Sequence, residues 1–335
     1  MKVLVTGASG FIGSFLVEKG LELGYEVWAG MRRGSSRRYL QDKRIRFVEL
    51  DLSSLERLSV QLASFKVGHG SWDYVIHAAG VTKCVDKKDF FKVNYEGTKN
   101  LVDTLSLQGM EPSKFVYISS LSVFGPVREE LPYTPIMESD SPMPDTEYGR
   151  SKLLAENYIR DNIRFPYIIL RPTGVYGPRE RDYFKMAAGI KRHLDFAVGY
   201  RCQVITFIYV KDLVKAVYLA AESPVNGRSF FVSEPCGYES RAFSDCIQKE
   251  LGVKRVLRIK APLWVLWCVS ALSGLISRVT GKASTLNGDK YRIMKQRNWL
   301  CDTAPIENEL AFSVDYPLEA GVKETIEWYR KEKWL

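Results

Sequence analysis

The chain has 335 residues, 46% of them hydrophobic and 26% charged, with a formal net charge of +9. That balance describes a folded globular protein of one large or two moderate domains and excludes disordered, collagenous and coiled-coil classes. Six cysteines without a C-x-x-C pair, with only three histidines to join them, lack the spacing of a disulfide framework or zinc site. No metal is expected, and a reducing, cytoplasmic setting is the default.

The N-terminus passes from one lysine into the short apolar run Lys2 to Thr6, too short for a secretory signal, which reads as a first strand. Gly7, Ala8, Ser9, Gly10, Phe11, Ile12 and Gly13 follow, opening an amphipathic helix to Leu23. In that setting the first glycine permits a tight turn and the second lets backbone approach a pyrophosphate. The third allows close packing of helix on strand, and free N–H groups at the helix start face phosphate oxygens. A strand, glycine loop and helix at the start of an α/β pattern form a strong dinucleotide signal.

The second strand, Glu26 to Gly30, ends in Met31, Arg32 and Arg33. A ribose 2′-hydroxyl is usually held here by a carboxylate, whereas a 2′-phosphate needs positive charge, which an Arg fork supplies. NADP(H) is therefore favoured over NAD(H), with Arg32 the first candidate; solvated loop arginines are the competing reading.

Further strands are expected at Arg46 to Leu50, Tyr74 to His77, Phe115 to Ser119 and Tyr167 to Arg171, with helical spacing at Asn94 to Leu107 and Tyr148 to Asn162. Such alternation predicts an α/β fold, a Rossmann doubly wound parallel sheet covered by helices on both faces. On the last of these helices Tyr148 and Lys152 are four residues apart and share a face. An ammonium beside a phenol lowers a pKa that is about 10 in isolation, which suits proton transfer near neutrality.

After Arg171 the pattern loosens into a Pro/Gly-marked loop, a basic helix, a strand and helix at Phe207 to Glu222, and later helices at Ser240 to Leu251 and Asp315 to Tyr329. The expected division is a dinucleotide-binding domain of residues 1–173, to which 204–233 return, and a smaller, mainly helical substrate lobe of 174–203 and 234–335. Within that lobe Ala261 to Ser277 carries no charge but is short for a membrane span. It reads either as a buried helix or as a helix with Trp264 and Trp267 that lids an apolar site or lies in a membrane surface. The basic cluster Arg278, Lys282, Lys290, Arg292, Lys295 and Arg297 follows it, so residues 261–297 are the candidate for peripheral contact at the inner face of a membrane. No nucleic-acid module is visible.

Taken in order, the motifs resemble the extended short-chain dehydrogenase/reductases. They are T-G-x-x-G-x-x-G (Thr6 to Gly13), Asp51-Leu52, H-A-A-G (His77 to Gly80), Asn94, the serine Ser120, Tyr148/Lys152 and R-P-x-x-V-Y-G-P (Arg171 to Pro178). The resemblance implies that Tyr148 exchanges a proton with the substrate oxygen, Ser120 hydrogen-bonds that oxygen, and Lys152 holds the nicotinamide ribose. It places Asp51 and Leu52 at the adenine and Ala78, Ala79, Gly80, Pro172 and Val175 along the cofactor. His77, at a strand end, is expected to be structural, and a homodimer is the family default.

Within the family three positions discriminate. Leu121 and Ser122 stand where sugar dehydratases carry Asp-Glu, Gly174 where many nucleotide-sugar enzymes carry Asn, and Ile205 where they place a phosphate-binding Arg. Loss of that charge suits an apolar small-molecule substrate without phosphates. The combination resembles reductases related to 3β-hydroxysteroid dehydrogenases and dihydroflavonol reductases, with bacterial 3-oxosphinganine reduction in sphingolipid synthesis as the specific expectation. A nucleotide-sugar epimerase and a non-catalytic NADP-binding regulator are the alternatives.

Overall fold

In the computed structural model, residues 1–280 and 288–335 are described, with side chains for 1–273 and 288–335. Lys282 and the side chain of Arg278, two members of the second basic cluster, lie outside those residues. The first half runs β1 (Lys2–Thr6), α1 (Phe11–Glu22), β2 (Glu26–Met31), β3 (Arg46–Glu49), α2 (Leu55–His69) and β4 (Tyr74–His77). A short α3 (Lys88–Phe90) passes through a π-helical turn (Phe91–Glu96) into α4 (Gly97–Leu107), then β5 (Lys114–Ile118), α5 (Glu147–Asn162) and β6 (Tyr167–Pro172).

The second half continues with β7 (Gly174–Tyr176), α6 (Arg181–Lys191), β8 (Leu194–Val198), β9 (Val204–Ile205), β10 (Phe207–Tyr209), α7 (Val210–Glu222) and β11 (Arg228–Val232). Then come β12 (Tyr238–Glu239), α8 (Ala242–Leu251), β13 (Leu257–Ala261), α9 (Leu263–Thr280), α10 (Gly288–Lys295), α11 (Ala304–Leu310) and α12 (Leu318–Lys331).

Seven parallel strands form the central sheet in the order β11-β6-β5-β4-β1-β2-β3. Both faces are covered, which explains why its strands read as continuous apolar runs rather than alternating ones. Side chains still alternate between two cores. Val3, Val5, Ile76, Val116 and Leu170 join the core under α1 and α7, while Leu4, Val75, Phe115, Tyr117 and Ile169 join the one under α2, α4 and α5. The strand order reverses between β1 and β4, and an open α/β sheet forms its ligand crevice beyond the strand ends at such a point.

Of residues 204–233, β11 joins the central sheet beside β6, whereas β9 and β10 pair outside it with β12 and β7. Ile306, Leu318, Val322, Ile326 and Tyr329 of the C-terminal helices share a buried cluster with Val3 and Val5. The two expected units therefore pack around one continuous core.

Three local differences from the expected elements have physical reasons. β5 stops at Ile118, leaving Ser119 and Ser120 in the loop where side chains can face the crevice. The helix expected from Asn94 starts earlier and is π-helical around Asn94, a widened turn that often marks functional sites. β8 and β13 form a small parallel ribbon that the sequence pattern did not reveal. Among the described residues no helix is long and apolar enough to cross a membrane.

Candidate active site

A cleft of ≈ 740 Å³ opens at the reversal point between β1 and β4. Its floor is bare backbone. Gly7 has φ +69°, and a Cβ there would lie 2.8 Å from the Ala78 carbonyl; a Cβ on Gly13 would lie 2.1 Å from the Gly7 oxygen. The loop closes with Gly10 N–H donating to the Gly7 carbonyl at 2.9 Å. Side chains would fill this cradle, so glycine keeps it open to a pyrophosphate at the start of α1. The residues present fit a nicotinamide dinucleotide.

Of the cofactor positions expected from the sequence, Gly7, Ser9, Gly10, Phe11, Ile12, Gly13, Arg32, Leu52, Ala78, Ala79, Gly80, Tyr148, Lys152, Pro172 and Val175 all line this cleft. Asp51 does not. Its carboxylate accepts from Ser53 N–H (3.0 Å) and Oγ (2.5 Å) and pairs with Arg57 at 2.8 Å, so it shapes the loop after β3 rather than the cleft wall. Arg32 is exposed at the cleft edge beside Ser35, and among the described residues its guanidinium has no hydrogen-bond or ion-pair partner. Arg37 and Arg38 are instead laid over the rings of Phe47 and Tyr39.

The start of α5 is set by three contacts. Thr146 caps it, accepting from Gly149 N–H at 3.0 Å. Asp289, buried on α10, accepts from the N–H groups of Glu147 (2.9 Å) and Tyr148 (3.3 Å). A Cβ on Gly149 would sit 2.3 Å from the Ser122 carbonyl, so glycine there lets the helix approach the turn after Ser120. Ser120 and Tyr148 both line the cleft at this point. Burial pushes the Tyr148 pKa up, and the Ser120 hydroxyl draws it back.

Lys152 is buried one turn along. Its Nζ donates to the Ile118 carbonyl at 2.7 Å and lies 4.6 Å from the Tyr117 ring centre. Burial lowers its pKa to about 7, with the Glu156 charge opposing. The lysine is thus turned toward the end of β5, on the same helix face as Tyr148.

Behind the site, Glu156 on α5 accepts from Arg171 at 3.0 and 2.7 Å, from Arg160 at 2.7 Å and from Ser119 Oγ at 2.6 Å. Burial raises this carboxyl, and the two guanidiniums and the serine outweigh it, leaving it below its ordinary value. The network ties the end of β5, α5 and β6 together beneath Ser120, Tyr148 and Lys152. Asn94 acts similarly in front: its Oδ1 accepts from Val81 N–H at 2.8 Å and its Nδ2 donates to Ser151 Oγ at 3.0 Å. His77 is fully buried between Thr6 (2.7 Å) and Thr98 (2.9 Å), and burial with the nearby Lys152 charge lowers its pKa to about 3. A ring held neutral in this way is structural.

A second cavity of ≈ 300 Å³ adjoins the first, with Ser120, Pro172 and Thr173 bordering both. Its wall is mainly apolar, including Tyr183, Met186, Ile293, Met294 and Trp299, and the discriminating positions Leu121, Ser122, Gly174 and Ile205 all line it. Wall charges are paired, Arg241 with Asp195 at 3.3 Å and Lys290 with Asp182 at 3.8 Å. Sequence reasoning missed Asp289, Thr173 and the Asp195–Arg241 pair. Only contacts between distant segments disclose them.

The sequence profile of the NAD dependent epimerase/dehydratase family matches residues 3–232. The chain belongs to that family. The relatives and solved structures that the chain resembles include dehydrogenases, reductases and epimerases. A human sterol-4-alpha-carboxylate 3-dehydrogenase (decarboxylating) is 28% identical over 248 residues, 68% of this chain and 61% of the relative, so the match spans less than two thirds of that protein's length. A ceramide reductase of Caulobacter vibrioides is 23% identical over 99% of this chain and 96% of its own. The crystal structure of a UDP-glucose 4-epimerase with UDP-glucose from Thermotoga maritima superposes with a TM-score of 0.76 at 23% identity, covering 99% of this chain and 100% of that one. This last likeness establishes the family's fold, a Rossmann-like parallel sheet with a helical C-terminal region.

Proposed function

We propose that the protein is an NADP(H)-dependent oxidoreductase that moves a hydride between nicotinamide and a carbonyl or secondary alcohol of an apolar, lipid- or sterol-like substrate. The observation that carries this reading is the junction of the two cavities at Ser120, with Tyr148 and Lys152 lining the cleft beside it. A bound nicotinamide supplies the hydride chemistry. A substrate oxygen at the junction meets Ser120, whose hydroxyl stabilises developing negative charge, and Tyr148, whose phenol gives or takes the proton.

Substrate class follows from the second cavity. Ile205 in its wall offers no charge to a diphosphate, and the wall's own charges are neutralised in pairs. Preference for the 2′-phosphorylated cofactor rests on Arg32, whose guanidinium stands unengaged at the cleft edge. Among apolar carbonyl compounds the reading extends to 3-oxosphinganine-type lipids, supported by the relative named ceramide reductase that aligns over 99% of this chain.

The test is NADPH oxidation, followed by absorbance, with 3-oxosphinganine and its N-acylated form, a 3-oxosteroid, a dihydroflavonol and UDP-glucose. Stoichiometric oxidation with a lipid ketone and none with the sugar nucleotide is expected. Epimerisation of UDP-glucose without net cofactor oxidation would overturn the proposal.

A further inference from the structure

The outer face of α9 reverses the usual arrangement of a surface helix. Leu266 and Ser270 are buried, whereas Trp264 (69% exposed), Trp267 (58%) and Leu272 (61%) face solvent, with exposed Cys268 and Ala271 between them. These positions recur at the spacing of a single helical face, so they form one stripe. No charged residue occurs from Ala261 to Ser273, although a solvated helix ordinarily turns charge to this side.

The β8–β13 ribbon extends the stripe. Leu257 is paired with Leu194 and Ile259 with Phe196, and in a parallel ladder such partners share a face. Leu257 and Phe196 are each 62% exposed. Exposed cations gather at the leading ends of the two strands, with Lys191 and Arg192 before β8 and Lys254 and Arg255 before β13. The ends are tied by Leu257 N–H donating to the His193 carbonyl at 2.8 Å, and His193 Nδ1 lies 2.7 Å from the Arg255 carbonyl. Arg201 and Lys260 add charge at the trailing ends. Asp195 is the one acid in residues 191–201 and 252–273, and it is buried against Arg241.

We infer that α9 and the β8–β13 ribbon form a docking surface for an anionic lipid bilayer. Tryptophans sit at the level of lipid headgroups, the aliphatic side chains enter the acyl boundary, and the rim of lysines and arginines meets anionic headgroups. The surface differs from the 261–297 stretch singled out by composition: Lys290 and Arg297 are paired with Asp182 and Glu129 and Arg292 bonds the Asp145 carbonyl, whereas the cations at 191–192 and 254–255 are brought together by strand pairing. A second copy of the chain is a poor occupant: a two-fold interface sets a patch against itself, and this rim would meet its own charge.

The location suits the adjoining chamber. Asp195, Phe196, Ala197 and Val198 of β8 wall the ≈ 300 Å³ cavity, so the strand that carries Phe196 on the docking surface also bounds the apolar site. That link rests on the substrate reading proposed above, whereas docking itself requires no turnover and can be tested without it.

The experiment is flotation of the full-length protein with vesicles of phosphatidylcholine alone or mixed equally with phosphatidylglycerol, at low and at physiological salt. Expected is binding to the anionic vesicles that weakens with salt, and quenching of tryptophan fluorescence by lipids brominated on their acyl chains. Trp264→Glu with Trp267→Glu should weaken vesicle binding by about tenfold or more. Lys254→Glu with Arg255→Glu should abolish the preference for anionic vesicles. Both variants should keep the wild-type unfolding midpoint and NADPH affinity. No flotation with either vesicle at low salt overturns the inference, as does self-association that the tryptophan variants disrupt while vesicle binding is unchanged.

Discussion

Gly13→Ala tests the cofactor cradle at its tightest point. The added methyl would lie 2.1 Å from the Gly7 oxygen, 2.7 Å from its carbonyl carbon and 2.8 Å from Ala8 Cα, where ordinary contact begins at 3.4 Å. The obstruction is backbone on every side, so relief requires the start of α1 to move outward by about 1 Å. That helix buries Phe15, Leu16, Val17 and Leu21 against the sheet and cannot shift as a body without opening the core. Overpacking costs about 1–3 kcal/mol, and the upper end applies where no side chain can yield. The same shift withdraws the N–H groups that face a pyrophosphate. A hydrogen bond to a charged group contributes about 1.5–3 kcal/mol, so losing one weakens dinucleotide binding roughly ten- to hundredfold. Urea unfolding and a fluorescence titration with NADPH measure the two effects separately. Gly68→Ala is the control: it lies in α2 with nothing within 4 Å of its added methyl. It should leave cofactor affinity unchanged and stabilise the helix by about 1 kcal/mol. Wild-type stability and affinity in Gly13→Ala would refute the assignment of this loop.

Tyr148→Phe keeps the ring but removes the proton, so turnover should fall by about 10²–10⁴-fold while NADPH affinity stays close to wild type; wild-type turnover would remove Tyr148 from the chemistry. Arg32→Ala should raise the KM for NADPH far more than that for NADH, and equal effects on both would refute a 2′-phosphate contact. Glu156→Gln leaves Arg171 buried without its counter-charge and should destabilise the protein by about 3–5 kcal/mol at neutral pH. Because the folded pKa of Glu156 lies below the ordinary 4.5, its contribution is fully present above that value and is lost as pH falls through the folded one. The gap between wild type and variant in urea midpoint should accordingly close on acidification; a gap that stays constant from neutral to strongly acidic pH would contradict the charged pairing.

Much of the site was legible in local order. Gly7, Gly10 and Gly13 announce a cradle because their spacing fits one turn and one helix start, and Tyr148 and Lys152 announce a shared face because four residues make roughly one helical turn. β1 and β4 fall at the residues expected, since a short apolar run between breakers has few other solutions. A motif position does not say where the Asp51 carboxylate turns, and here Ser53 and Arg57 engage it beside the cleft-lining Leu52.

The sequence alone pointed to the dinucleotide fold and the cleft-lining glycines by local pattern, to Tyr148 and Lys152 by helical spacing, and to Ser120 by resemblance to the extended short-chain dehydrogenase/reductases. Tertiary structure decided that Lys152 Nζ donates to the Ile118 carbonyl, that Asp289 holds the start of α5, and that α9 turns its tryptophans outward beside two clusters of cations. These depend on pairings such as Asp289 with Tyr148, 141 residues apart. Periodicity reports which face of an element is apolar; only packing settles what that face meets.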